Sequence, residues 1–86
     1  MLNEVKLVNI DLKGINYNQQ LIKIEEEDKE FLEAIESNDD KHKIEEFWDS
    51  VQARLGLLDM DGISAERVMQ GYPEHLNKLK NRPRTK

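Results

Sequence analysis

Apolar residues recur along the middle of the chain with the three-and-four rhythm of an α-helix. From Asn16 to Ser37, Leu21, Ile24, Phe31 and Ile35 keep that spacing, with Asp28 as the one polar interruption. The pattern predicts a helix over 16–37, capped by Asn16 or Asn18. The SNDD stretch, residues 37–40, reads as a turn that also supplies caps for the next helix. That second helix is predicted over 40–58, where Ile44, Phe47, Trp48, Val51, Leu55 and Leu58 form one broad apolar face. Gly56 costs about 1 kcal/mol in a helix interior relative to alanine. It therefore marks either a loosened last turn or a close approach by a neighbour.

Beyond the LDMDG turn, residues 58–62, Ser64 opens a third helix with Glu66 and Arg67 in its first turn. Gly71, Tyr72 and Pro73 interrupt it, and Pro73 suits the start of a short fourth helix. These two elements span 64–81 and leave 82–86 as a tail. Residues 1–14 mix helical spacing (Leu2, Val5, Val8) with strand-like alternation, and read as a short helix or an irregular arm closed by Gly14. No repeat or interdomain linker divides the 86 residues, so one domain is expected. The short connections imply an all-α chain, a short antiparallel helical bundle.

Composition adjusts that picture in three ways. Hydrophobic residues make up 37% of the chain and charged residues 36%, which is thin for a self-sufficient core of this length. Surplus apolar helix faces then favour completion by oligomerisation. The absence of cysteine removes disulfides and thiolate sites, and two histidines are too few for a histidine-rich metal centre within one chain. No apolar run reaches the roughly 18 residues that would suggest a membrane span, and the first residues lack a secretory pattern. A cytoplasmic protein without membrane contact is expected.

The net charge of −5 is unevenly spread. Twelve acidic and three basic residues lie between Glu25 and Asp49, whereas Arg67 to Lys86 holds six basic residues and one acidic. No predicted helix carries a basic recognition face, so direct nucleic-acid binding is not expected. An acidic middle with a basic end suits a phosphorylated ligand that arrives with cations, and equally suits head-to-tail packing of two chains.

Within the acidic middle, Glu27 and Glu30 stand three residues apart on one helix, as do Glu46 and Asp49 on the next. Antiparallel packing would face the two pairs across a shallow, solvent-open pocket outside the centre of the apolar stripes. Four converging carboxylates offer oxygen donors alone, which suits Mg²⁺ or Mn²⁺. A solvated acidic face is the other reading of the same spacing.

The register K-I-x-E-E-x-x-E-F-x-x-A-I from Lys23 to Ile35 is followed by I-E-E-x-x-D from Ile44 to Asp49, with fifteen residues between Glu30 and Glu46. It resembles the MazG-type family of all-α nucleoside triphosphate pyrophosphohydrolases, whose E-E-x-x-E and E-x-x-D signature is matched by Glu26, Glu27, Glu30, Glu46 and Asp49. The resemblance covers roughly residues 20–60. It implies that Glu27, Glu30, Glu46 and Asp49 hold Mg²⁺, with Mn²⁺ as a substitute, and that Glu26 supports the site or positions water. It further implies cleavage of a nucleoside triphosphate to monophosphate and pyrophosphate by a homodimer or dimer of dimers. Lys78, Lys80, Asn81 and Arg84 match loosely the late residues that meet phosphates in that family.

Trp48 stands where the family more often has a small residue. It reads as a core or interface tryptophan, or as a ring stacking on a base. The alternative function is a non-catalytic helical protein of the same fold that binds a partner or a nucleotide. Asn16, Asn18 and Gln19 are better read as caps and surface residues than as readers of a base edge.

Overall fold

A computed structural model describes residues 6–82, which are all-α with no sheet among them. Leu2, Val5 and Arg84 lie outside the described residues. Helix α1 spans Tyr17–Ile35, α2 Asp40–Met60, α3 Ala65–Gln70 and α4 Tyr72–Asn81. None of these helices is long and apolar enough to cross a membrane.

Local chemistry accounts for the boundaries. Asn16 Oδ1 accepts from the Gln19 backbone N–H at 2.8 Å, and Gln19 Oε1 accepts from the Asn16 N–H at 2.9 Å, a reciprocal capping box. At the far end, Ser37 donates its N–H and its hydroxyl to the Ala34 carbonyl, closing α1 two residues before the apolar pattern suggested. Asp39 caps α2 by accepting from the His42 N–H, and Ser64 caps α3 by accepting from the Arg67 N–H. Helix α2 runs on through the first half of LDMDG, and Gly62, with φ of 82°, turns the chain. Pro73 sits in the first turn of α4, where its missing N–H costs nothing.

Helices α1 and α2 form an antiparallel hairpin. Gln20 meets Ala53, Asp28 meets Ser50 and Phe31 meets Phe47, so one helix is read upward as the other is read downward. The seam differs from the expected one. The buried residues of α1 are Gln20, Glu27 and Ala34, seven apart, with Ile24 and Phe31 half-buried between them. That face shares Ile24 and Phe31 with the expected stripe and is turned from it by roughly 60°, with Asp28 also half-buried at its edge. Leu21 and Ile35 are exposed. The reason lies across the seam, where α2 buries Ser50, Ala53 and Gly56. Small residues let two helices close together, and the space over Ala53 and Gly56 is filled by Gln20, whose amide bonds the Ala53 carbonyl.

The broad apolar face of α2 is divided. Leu55 is buried and Leu58 half-buried where α2 packs against α3, whose Ala65 is buried as well. Ile44, Phe47 and Trp48, nearer the hairpin turn, remain about half-exposed. Helix α4 packs against α3 and against no other helix.

Residues 6–13 are an irregular arm rather than a helix. Gln52 donates its side-chain amide to the Val8 carbonyl at 2.8 Å, Asn9 Oδ1 accepts from the Ala65 N–H at 3.1 Å, and the Leu7 N–H points at Met69 Sδ, 3.1 Å away. Leu12 reaches Gly56. A Cβ added there would lie 2.9 Å from Leu12 Cδ1 and 2.9 Å from Gln20 Nε2, so the glycine serves close approach and not a loosened turn. Elsewhere along the seam, Asp28 accepts from Ser50 and pairs with Arg54 Nη2 at 2.8 Å, while Arg54 also reaches the Ser50 hydroxyl.

Candidate metal centre

The register that buries Gln20 and Ala34 carries Glu27 inward with them, leaving it 5% exposed. Glu46 lies seven residues before Ala53 and therefore on the same inner strip of α2, half-buried, with Asp49 three residues further along. One carboxylate oxygen from each of Glu27, Glu46 and Asp49 comes within 4.8 Å of the others. These three make a small acidic cluster compatible with a bound metal ion. The expectation of carboxylates lying outside the stripes is corrected for Glu27: the rotated seam puts it between the helices.

Electrostatics at the cluster are only partly balanced. Lys23, one turn before Glu27, brings Nζ to 2.6 Å of Glu27 Oε1. That hydrogen bond and charge hold the lysine above its ordinary pKa. Glu27 Oε2 and Glu46 Oε2 are buried and have no hydrogen-bond partner. His42 Nδ1 lies 3.9 Å from the other oxygen of Glu46, too long for a hydrogen bond. Burying a polar atom without a partner costs about 1–3 kcal/mol, and more for a charged group. A cation shared among these oxygens would offset that cost.

Glu30 is exposed but belongs to the same electrostatic neighbourhood. The Glu27 carboxylate first, then partial loss of solvent around it and the Glu46 carboxylate, hold its carboxyl above the ordinary range. Lys23 opposes this, and a proton taken up between Glu30 and Glu27 adds a hydrogen bond in its favour. The donor set is oxygen alone, the chemistry of hard divalent cations.

Glu26, Glu27 and Asp49 also border an open cleft of about 700 Å³ between the arm and the hairpin. Its other walls include Ile10, Leu12, Ile15, Ile22 and Ala53, with the amides of Gln19, Gln20 and Gln52. Sequence reasoning missed the cleft, the buried Gln20 and the role of Gln52. One signal was available: Gly56 marked where another part of the chain comes close.

Among the described residues, Trp48, Lys78, Lys80 and Asn81 are not part of the cluster. Trp48 is about half-exposed, and its ring meets Phe47 edge-on at 5.1 Å, outside the cleft. Lys78, Lys80 and Asn81 are exposed on α4. No protein-family model, curated protein or solved structure matches this chain.

Proposed function

We propose that the chain is a Mg²⁺-dependent nucleoside triphosphate pyrophosphohydrolase of the MazG type. The observation that carries this reading is the pair of buried, unpartnered oxygens on Glu27 and Glu46 beside Asp49. An acidic cluster alone is common on a charged chain. Two carboxylates turned inward with an oxygen left unsatisfied are costly unless a cation completes them. The donor set fits Mg²⁺ and admits Mn²⁺.

In this reading Glu27, Glu46 and Asp49, joined by Glu30, hold the ion. Bound there, it supplies Lewis-acid polarisation of phosphoryl oxygens and lowers the pKa of water. Glu26, beside Glu27 at the cleft, orients the attacking water and accepts its proton. The water oxygen bonds to the α-phosphorus as the bond to the bridging oxygen breaks, giving monophosphate and pyrophosphate. Lys23, paired with Glu27 at 2.6 Å and lining the same cleft, would be placed to meet the phosphates. Lys78, Lys80 and Arg84 neutralise charge on the leaving pyrophosphate, and Asn81 donates a hydrogen bond to it. In this reading Lys78, Lys80 and Asn81, exposed on α4, serve the cluster of a second copy, in a homodimer or dimer of dimers of a cytoplasmic protein.

The test is pyrophosphate release from a panel of ribo- and deoxyribonucleoside triphosphates with Mg²⁺ or Mn²⁺. Metal-dependent release that falls at least a hundredfold in both Glu30→Gln and Asp49→Asn is the expected result. No release from any nucleotide by the folded chain overturns the reading. A second reading, a partner-binding helical protein without turnover, is favoured by the half-exposed Ile44, Phe47 and Trp48.

A further inference from the structure

We infer that Arg54, bonded to Asp28 and Ser50, is a positioning residue that sets the spacing of the metal-binding carboxylates from the opposite flank of the hairpin. The inference rests on the proposed metal site. It adds to that site three residues that lie outside both the acidic cluster and the cleft.

Two members of this clamp are joined directly to acids of the cluster. Asp28 follows Glu27 on α1, and Ser50 follows Asp49 on α2. Neighbouring helix residues point about 100° apart and differ by only about 1.5 Å along the axis. Glu27 and Asp49 therefore border the cleft, while the residues after them meet on the other flank at the same level. Ser50, 6% exposed, donates its hydroxyl to Asp28 Oδ1 at 3.0 Å. Arg54 closes the triangle. Its Nη2 donates to Asp28 Oδ2 at 2.8 Å, and its Nη1 reaches the Ser50 hydroxyl and, at 3.3 Å, the Ser50 carbonyl. A planar fork that bonds both helices at once resists sliding and rolling of one against the other.

Stability is a poor account of this arrangement. The side chains of Arg54 and Asp28 are 51% and 40% exposed, so solvent screens their attraction. What the clamp fixes is geometry. Mg²⁺ requires near-octahedral oxygens at about 2.0–2.1 Å, whereas Ca²⁺ accepts about 2.3–2.6 Å and irregular shells. A slide of α2 by about a third of one residue's rise, about 0.5 Å, spans that difference. Among the described residues, the other polar bond between α1 and α2, Gln20 to Ala53, lies about two turns of α1 before Glu27. Register at the level of the cluster is thus left to Arg54 and its partners.

The experiment measures Mg²⁺ and Ca²⁺ binding by isothermal titration to the whole chain and to Arg54→Leu, Arg54→Lys and Ser50→Ala. Ser64→Ala, which removes the α3 cap, controls for lost stability alone. The expected result is Mg²⁺ binding about tenfold weaker in each of the three clamp variants, with Ca²⁺ binding changed less than about threefold. Ser64→Ala keeps the parent's preference between the ions. Charge alone predicts otherwise: Arg54→Leu removes a cation and tightens both ions, and Arg54→Lys leaves both affinities as they were. Arg54→Lys and Ser50→Ala keep the net charge and guard against a leucine variant that does not fold. Clamp variants with the parent's Mg²⁺-to-Ca²⁺ preference overturn the positioning role and leave the metal site standing. A folded parent chain that binds no Mg²⁺ overturns the metal site, and the positioning role with it.

Discussion

Lys23 Nζ lies 2.6 Å from Glu27 Oε1, while Oε2 of the same carboxylate is buried without a partner. The ammonium therefore neutralises Glu27 from one side only. Its own side chain is 55% exposed, so solvent screens the pair. Lys23→Met is expected to lower stability in the absence of metal by about 1 kcal/mol. It also removes a charge that competes with the cation, so added Mg²⁺ raises the melting temperature more than in the parent chain. Thermal melts with and without Mg²⁺ check this, and an unchanged or smaller Mg²⁺ response counts against the shared-cation reading. The lysine is held above its ordinary pKa of 10.5, so its contribution is complete below that value. The difference between the two chains then closes as pH climbs through the raised value.

Glu30 gives the opposite sign. A carboxyl held above its ordinary value of 4.5 in the folded chain binds its proton more readily there than when unfolded. Stability from this group is greatest below 4.5 and declines as pH rises through the elevated folded value. Glu30→Gln removes that decline, so without metal it is the more stable protein at neutral pH. The same variant binds Mg²⁺ more weakly. Chemical denaturation from pH 4 to 7, with and without Mg²⁺, reads both effects. A Glu30→Gln chain less stable than the parent at pH 7 without metal contradicts repulsion among these carboxylates.

For Glu46→Gln the expectation is a lost metal response. At a Mg²⁺ concentration a hundred times the dissociation constant, linkage stabilises the parent by about 2.7 kcal/mol. The variant should show little of this increment, since one of the inward carboxylates no longer carries charge. Melting temperatures over a Mg²⁺ series decide the point, and a full increment in the variant argues for a diffuse surface effect.

Gly56→Ala sets two effects against each other. Alanine gains about 1 kcal/mol in helix propensity. Its Cβ would meet Gln20 Nε2 and Leu12 Cδ1 at 2.9 Å. Leu12 can rotate away, but Gln20 is 3% exposed and tied to Ala53. Losing that buried bond costs about 1–3 kcal/mol, so a net loss of up to about 2 kcal/mol is expected by urea denaturation. A more stable variant would show that Gln20 yields without cost.

Much of the fold was legible because its signals are local. Asn16 with Gln19 three residues on, Asp39, Ser64 and Pro73 each act within one helical turn, and the all-α reading follows from them and from apolar spacing. The rotation of α1 was not legible. Gln20 and Glu27 are polar and resemble surface positions, and nothing within α1 marks that Gln20 meets Ala53 and Gly56, or Glu27 the carboxylates of α2, across the seam. The acidic residues that gather at the cluster could be picked out by spacing, but the burial of Glu27 could not. The cleft depends on the arm, whose anchors lie far along the chain and leave no periodic trace apart from Gly56.

Those anchors also set an order of events. Helices α1 and α2 are joined by a four-residue connection, 36–39, so the hairpin can form from contacts close in sequence. The arm's hydrogen bonds join residues 44, 56 and 62 positions apart. Loop closure on that scale comes late in folding and opens early in native fluctuations. One wall of the cleft is thus expected to exchange its amides before the helices that hold the acidic cluster do.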